Sequence, residues 1–342
     1  MILRSSSPLL LLLAVAAPLR AQQPWVASEL RLERDNQVRI ALVIAAEHGR
    51  YLGRDVTLAA RLGGTRISGD GPGGSAPKTA FAVVGLGGTL ALPSLRVGVE
   101  AGAGALLGVP TWTGHAALHR DLGGAVGLRL RAARERYTAT LTSLDTTVVS
   151  RTMEVALDRS GAPGWAWEAV ARRTGFGDGN PVGTAYAWGL VPLSRSATHS
   201  LRAGYALGWQ DAERSTWQAS GEAPTGAFPQ QVPGRYAPYY APHDVTTHSL
   251  LLNGAVEAGS GWVTVDGSVG ARATETAPLL VRPSASSAPQ LTFHERSFTP
   301  WRAQVSWVGA ADDRTSVTLA AGYERTAFYR VGTFRLAVAR SR

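Results

Sequence analysis

Thr315-Ser316-Val317-Thr318-Leu319-Ala320-Ala321-Gly322-Tyr323-Glu324-Arg325 decides the fold. Val317, Leu319, Ala321 and Tyr323 fall on one side of an extended chain, and Ser316, Thr318, Ala320, Gly322 and Glu324 on the other. A period of two is the mark of a strand whose two faces meet different surroundings. The same pattern recurs upstream. Trp301, Ala303, Val305 and Trp307 alternate with Arg302, Gln304 and Ser306; Leu201, Ala203, Tyr205, Leu207 and Trp209 alternate with Arg202, Gly204 and Gln210. Val263, Val265 and Val269 stand against Thr264, Asp266, Ser268 and Arg272, and Phe334, Leu336 and Val338 against Thr333, Arg335 and Ala337.

These segments are about ten residues long, the length that crosses a bilayer at a tilt (roughly 9–11 residues). Fifteen can be marked, near 37–46, 55–66, 78–91, 94–107, 112–119, 125–133, 149–158, 164–175, 182–193, 199–210, 246–258, 261–273, 299–310, 315–325 and 331–340. Single-chain bacterial barrels have even strand numbers. The reading is therefore an all-β, antiparallel transmembrane β-barrel of about 14 strands, with 12–16 in range and a missing strand sought around Tyr137–Leu144. Connections at Leu193–Thr198, Ala258–Gly261 and Ala310–Arg314 are short, whereas Asp211–Asp244 and Thr276–Arg296 are long. Sorting of short turns and long loops to opposite ends is the outer-membrane arrangement.

The beginning of the chain points to the same compartment. Arg4 precedes the apolar run Leu9 to Ala17, and Leu19 and Ala21 suit cleavage before Gln22, so residues 1–21 read as a signal peptide. Residues 22–36 read as a periplasmic lead-in and 37–342 as the barrel. That apolar run is too short to span a bilayer, which takes about 20 residues, no other segment reads as a membrane helix, and in lipid only helices and closed barrels satisfy the backbone.

Composition narrows the chemistry. The 342 residues are 45% hydrophobic and only 17% charged, with 39 glycines, no cysteine and a net charge of +9. Thiol catalysis and thiolate metal sites are excluded. The basic balance, carried by Arg with Lys78 the only lysine, suits outer-membrane lipid and lipopolysaccharide phosphates or anionic solutes better than nucleic acid, which an exported chain rarely meets.

Two residue sets are singled out. On the polar face Arg129, Arg131, Arg172, Arg202, Asp266, Arg272, Arg302, Gln304, Glu324 and Arg335 are expected to line the lumen. Either they pair and plug it, or surplus Arg lines a water-filled path. Trp165, Trp209, Trp262, Trp301, Tyr323 and Tyr329 are expected in interfacial girdles, where an amphipathic ring lies at headgroup depth.

Catalytic signals are weak. His199-Ser200 and His248-Ser249 are adjacent, and strand neighbours point to opposite faces. His115 and His119 share a face but lack a third metal ligand. Gly85-Leu86-Gly87-Gly88 and Gly69–Gly74 lack the strand-to-helix setting of a phosphate loop. No catalytic residue, metal or cofactor is assigned, and the chain is read as not an enzyme.

Val232-Pro233-Gly234-Arg235-Tyr236-Ala237-Pro238-Tyr239-Tyr240 precedes the strand at His248–Leu252, and Thr326-Ala327-Phe328-Tyr329-Arg330 precedes the last strand. This pattern resembles the C-terminal barrel of bacterial exopolysaccharide-export proteins, the cellulose-secretion and YaiO-type group, over about the last third of the chain. The chain departs from that group by lacking a helical repeat between Gln22 and the first strand and by ending Arg340-Ser341-Arg342. The resemblance implies a polysaccharide export pore, the barrel-assembly machinery and a periplasmic export partner. Three functions stay open: a channel or export pore for anionic solutes or polysaccharide, a non-conducting structural or ligand-binding barrel with functional extracellular loops, and an outer-membrane lipid-modifying enzyme.

Overall fold

The computed structural model describes residues 25–35, 39–52, 56–69, 79–92, 94–106, 109–140, 142–143, 146–159, 164–220 and 226–341. The expected signal peptide lies outside them. The first half of the wall comprises β1 (Trp25–Asp35), β2 (Arg39–Leu52), β3 (Val56–Gly69), β4 (Thr79–Leu92), β5 (Leu95–Leu106), β6 (Val109–Gly123), β7 (Val126–Arg136) and β8 (Val149–Arg159). β9 (Ala166–Gly175), β10 (Pro181–Arg195) and β11 (His199–Ala212) continue it. Three short strands follow in one connection: β12 (Trp217–Ala219), β13 (Gln230–Val232) and β14 (Gly234–Tyr236). The chain then returns to the wall in β15 (Val245–Ala258) and β16 (Gly261–Arg282), turns through β17 (Gln290–Ser297), and finishes with β18 (Trp301–Asp312), β19 (Thr315–Arg325) and β20 (Arg330–Ser341).

Every wall strand pairs antiparallel with its neighbour, and β1 pairs with both β2 and β20, which closes the sheet. β13 and β17 pair only with the distal part of β16, and β12 pairs with β14 in a separate sheet. Among the described residues the closed wall therefore has sixteen strands, the top of the expected range and not fourteen. With strands spaced about 4.8 Å and tilted near 40°, sixteen of them enclose a wall of roughly 16 Å radius, wide enough for a lumen.

The fifteen segments marked in the sequence each correspond to one wall strand. The sixteenth is β1, so Trp25–Asp35 belongs to the barrel and is no lead-in. Its inward positions carry Glu29, Arg31, Glu33 and Asp35, which made it look like a solvated tail; Val26, Leu30 and Leu32 on its other face are exposed. The strand sought around Tyr137–Leu144 is absent among the described residues there, which form a loop with Thr140 and Ser143 buried.

The turns at 124–125, 196–198, 259–260 and 313–314 lie at one end, together with the start of β1 and the end of β20. In the tight β15–β16 turn, Gly259 takes a φ of 62° that a side chain would disfavour. Connections 137–148 and 213–244 and the β16–β17 hairpin lie at the opposite end, which by loop length is the extracellular one.

The outer face is apolar. Leu86, Val99, Leu130, Val155, Leu207, Leu250, Val305 and Phe334 are all exposed there. From Leu201 to Trp209 the band measures roughly 20 Å along the barrel axis, at about 3.3 Å per residue and a tilt near 40°, close to the roughly 25 Å of a barrel's lipid-facing belt.

Candidate functional site

Strand alternation sends a charged set inward on β7 to β10. Glu154, on the inward face of β8, is 4% exposed in its side chain and sits between two guanidinium groups. Arg172 of β9 donates to it through Nε at 2.8 Å and again through its terminal nitrogen. Arg129 of β7 lies 3.6 Å away on the other side and donates to Glu168 at 2.5 Å. Glu168 also accepts from the indole of Trp188 at 3.0 Å and from the phenol of Tyr186 at 3.4 Å, both inward on β10. The network is continuous because Glu154 pairs with Arg172 in the β8–β9 ladder and Glu168 with Trp188 in the β9–β10 ladder, while Arg129 reaches past β8 to Glu168.

The other expected lumen residues divide between paired and free. Arg131 is held by Glu135 at 2.6 Å and Arg335 by Glu29 of β1 at 3.2 Å. Asp266 accepts from the amide of Asn253 at 2.5 Å. Arg302 donates to Gln304 at 3.0 Å and faces Glu324 across the β18–β19 ladder. The side chain of Arg202 makes no hydrogen bond or ion pair among the described residues.

Arg272 is a correction. His248 pairs with Arg272 and Ser249 with Gly270, so Ala271 is a bulge that shifts the alternation by one residue. Arg272 is thereby turned to the outside beside His248, and Ala273 and Glu275 face in, at 2% and 3% exposure.

A cavity of about 600 Å³ opens on the inner wall between β9 and β19. Tyr186, Trp188 and Tyr240 contribute rings to it, and Arg202, Asn253 and Arg302 polar groups.

Over this cavity runs an aromatic strap. The 213–244 connection folds back so that Tyr239 is 1% exposed, stacked on Phe176 at 3.6 Å and edge-on to Tyr137. Its next residue, Tyr240, stacks on Phe328 of the β19–β20 turn at 4.8 Å, with Tyr236 edge-on to both. The strap thus joins the β7–β8, β9–β10 and β19–β20 connections across the mouth. It is fixed by polar ties: Tyr239 donates to Asp178 at 2.6 Å, the Tyr240 backbone N–H donates to the Tyr137 hydroxyl at 3.0 Å, and Asn180 exchanges two bonds with the Arg214 backbone.

Burial, and the bond to Asp178, push the Tyr239 phenol up to about 12; burial also raises Tyr236 and Tyr240. A tyrosine in an unfolded chain ionises near pH 10. The neutral phenol is the form the strap holds, so its contribution is full below about pH 10 and is lost as pH rises toward the folded-state value. A spectrophotometric titration of tyrosinate should show a fraction ionising late, and Tyr239→Phe should remove part of it. Ionisation of every tyrosine near 10 would contradict the buried strap.

Aromatic girdles are present at both ends of the apolar band. Trp165 and Trp262 are exposed at the short-turn end. Trp209 is exposed near the other end, where Trp301 stacks on Tyr323 at 4.6 Å. Trp112, 62% exposed at that rim, joins them, although the sequence reading passed over it. Tyr329 is a correction: it is 6% exposed and donates to Asp35 at 2.9 Å, because it belongs to a turn that bends inward. His199 has both ring nitrogens occupied by hydroxyls, Ser194 at 2.9 Å and Ser196 at 2.7 Å, an arrangement that ties the β10–β11 turn.

A closed sixteen-strand wall, an outward apolar band between aromatic girdles and sorted loops define a bacterial outer-membrane β-barrel, and the chain resides in the outer membrane. No family model and no curated protein matches the chain. Solved structures do. The "Bacterial polysaccharide outer membrane secretin" aligns over 94% of this chain and 99% of its own at 9% identity, with a TM-score of 0.65. CdiB from Acinetobacter baumannii covers 93% of this chain and 60% of its own at 9% identity (TM-score 0.48), and OccAB4 from the same organism covers 95% and 100% at 8% identity (TM-score 0.43). At such identities the first likeness shows the fold alone.

Proposed function

We propose that the barrel is a capped outer-membrane channel for hydroxyl-rich solutes, exported polysaccharide included. The observation that carries this reading is the lumen cavity, where the rings of Tyr186, Trp188 and Tyr240 sit beside Asn253 and the partner-free Arg202. Ring faces pack against the apolar faces of sugars, and a few placed donors and acceptors fix their hydroxyls. A solely anionic solute is less favoured, because Arg129, Arg131, Arg172 and Arg335 are neutralised by carboxylates. The solved barrel of similar fold is described as a polysaccharide secretin, but the saccharide reading here rests on the lumen residues. We assign no catalytic role.

The test is current through the refolded protein in a planar bilayer with a salt gradient. Neutral oligosaccharides should block the steps, and Trp188→Ala should weaken the block by about tenfold, the loss of roughly 1.4 kcal/mol expected of one stacking face. Arg202→Ser with Arg302→Ser should reduce anion preference. A silent membrane, with folding shown by heat-modifiable gel mobility, would reject an open channel. It would favour the second reading, a non-conducting barrel closed at its mouth by the strap, which the packing of Tyr239 against Phe176 and Tyr137 supports.

A further inference from the structure

The outer surface near the extracellular rim carries a cluster that the lumen does not use. Arg134 of β7, Arg151 of β8 and Arg173 of β9 stand on three successive strands, all on the outward alternation. Arg134 and Arg151 are direct partners in the ladder. Like charges so placed repel. Among the described residues Arg173 reaches only Glu213, at 3.9 Å with both side chains well exposed, a pair that contributes little. The Arg151 side chain has no hydrogen bond or ion pair among the described residues. Arg134 is oriented by the ring of Trp112, 4.1 Å from its guanidinium carbon, and donates to the Trp112 carbonyl at 3.3 Å.

Below the arginines lies a shallow groove of about 540 Å³. Its floor is made of small residues, Ala101, Gly114, Ala116 and Ala132, and its sides of Trp112 and the 73% exposed Met153. The groove runs into the apolar band at Val99, Leu130 and Val155. Three cations above an apolar trough, at headgroup depth on the long-loop side, match one kind of molecule: an outer-leaflet lipid with a phosphorylated head and acyl chains.

We propose that this face binds the phosphorylated glucosamine head of lipopolysaccharide, with phosphate held between Arg151 and Arg173 and an acyl chain lying between Trp112 and Met153. Arg–phosphate bonds are charge-assisted and bidentate, and they relieve the repulsion across the β7–β8 ladder. The apolar floor supplies the remainder by excluding water from the chain. The site is independent of whether the lumen conducts.

The test uses the full-length protein in detergent and measures retained lipid by native mass spectrometry. Lipid A carrying both phosphates should bind one per barrel. Arg151→Ser with Arg173→Ser should weaken it by about tenfold, as should removal of the phosphates from the lipid. Arg120→Ser with Arg159→Ser, at the opposite rim, should leave it unchanged. Added salt should weaken wild-type binding, a reading that needs no variant. Equal binding of dephosphorylated lipid A, or unaltered binding by the Arg151/Arg173 double variant, would overturn the proposal. Displacement of lipid A by inorganic phosphate at equal concentration would also overturn it, by showing an anion site in place of a lipid site.

Discussion

Replacing Glu154 by Ala is expected to destabilise the barrel by about 3 kcal/mol, read as a lower urea midpoint for unfolding from lipid or detergent. The carboxylate stands between Arg129 and Arg172 with its side chain almost wholly buried. Without it Arg172 loses its charge partner among the described residues, and Arg129 keeps only Glu168. Leaving a buried charge uncompensated costs far more than the pair contributed, about 3–5 kcal/mol in measured cases. The lower figure applies because Arg129 is one-third exposed to the lumen and keeps its other bond. Glu154→Gln should lose less, since the amide can still accept from Arg172. Replacing Arg172 together with Glu154 by a Thr pair should recover much of the loss. If Glu154→Ala unfolds at the wild-type midpoint, the network is not holding the β7–β9 wall.

Replacing Tyr239 by Ala is expected to release the strap and raise single-channel conductance severalfold. The ring is among the most completely buried large side chains of the molecule, packed between Phe176 and Tyr137, with its hydroxyl bonded to Asp178. Truncating such a ring costs about 3 kcal/mol or more in a packed setting, and here the loss falls on the centre of the strap, leaving the Tyr240–Phe328 stack and the Asn180–Arg214 bonds to hold its flanks. The wall below, with its own ladder, should keep its heat-modifiable mobility. Tyr239→Phe retains the stack and loses only the bond, so it should conduct nearly as the wild type does. Unchanged conductance in Tyr239→Ala would show that the strap does not restrict the path.

The wall was legible because lipid outside and water inside impose a period of two on every crossing strand. Thr315–Arg325 displays that period without interruption, and β19 occupies those residues. β1 obeys it as well, with Val26, Leu30 and Leu32 against Glu29, Arg31 and Glu33; its density of charge concealed an alternation that counting positions would have found. Loop sorting was equally local, since a turn of two or three residues can be recognised without knowing what it joins. The rest depended on contacts between distant residues. One bulge at Ala271 reversed the face of Arg272, and nothing in the alternation of β16 alone marks where its partner strand skips a residue. Tyr329 and Trp165 are both aromatics at strand ends, yet one turns inward to Asp35, brought beside it only when β1 closes against β20.

By itself, then, the sequence determined the class of fold and the positions of fifteen of the sixteen wall strands, because each follows from the environment of a single strand. Which arginines are neutralised and which stay free, the strap across the mouth and the outward arginine cluster were decided only by the tertiary structure. Charge pairing, aromatic stacking and clefts are properties of neighbouring strands and folded-back loops, and Tyr137 meets Tyr240, 103 positions further along the chain, only after the segment between them has been drawn into one rim.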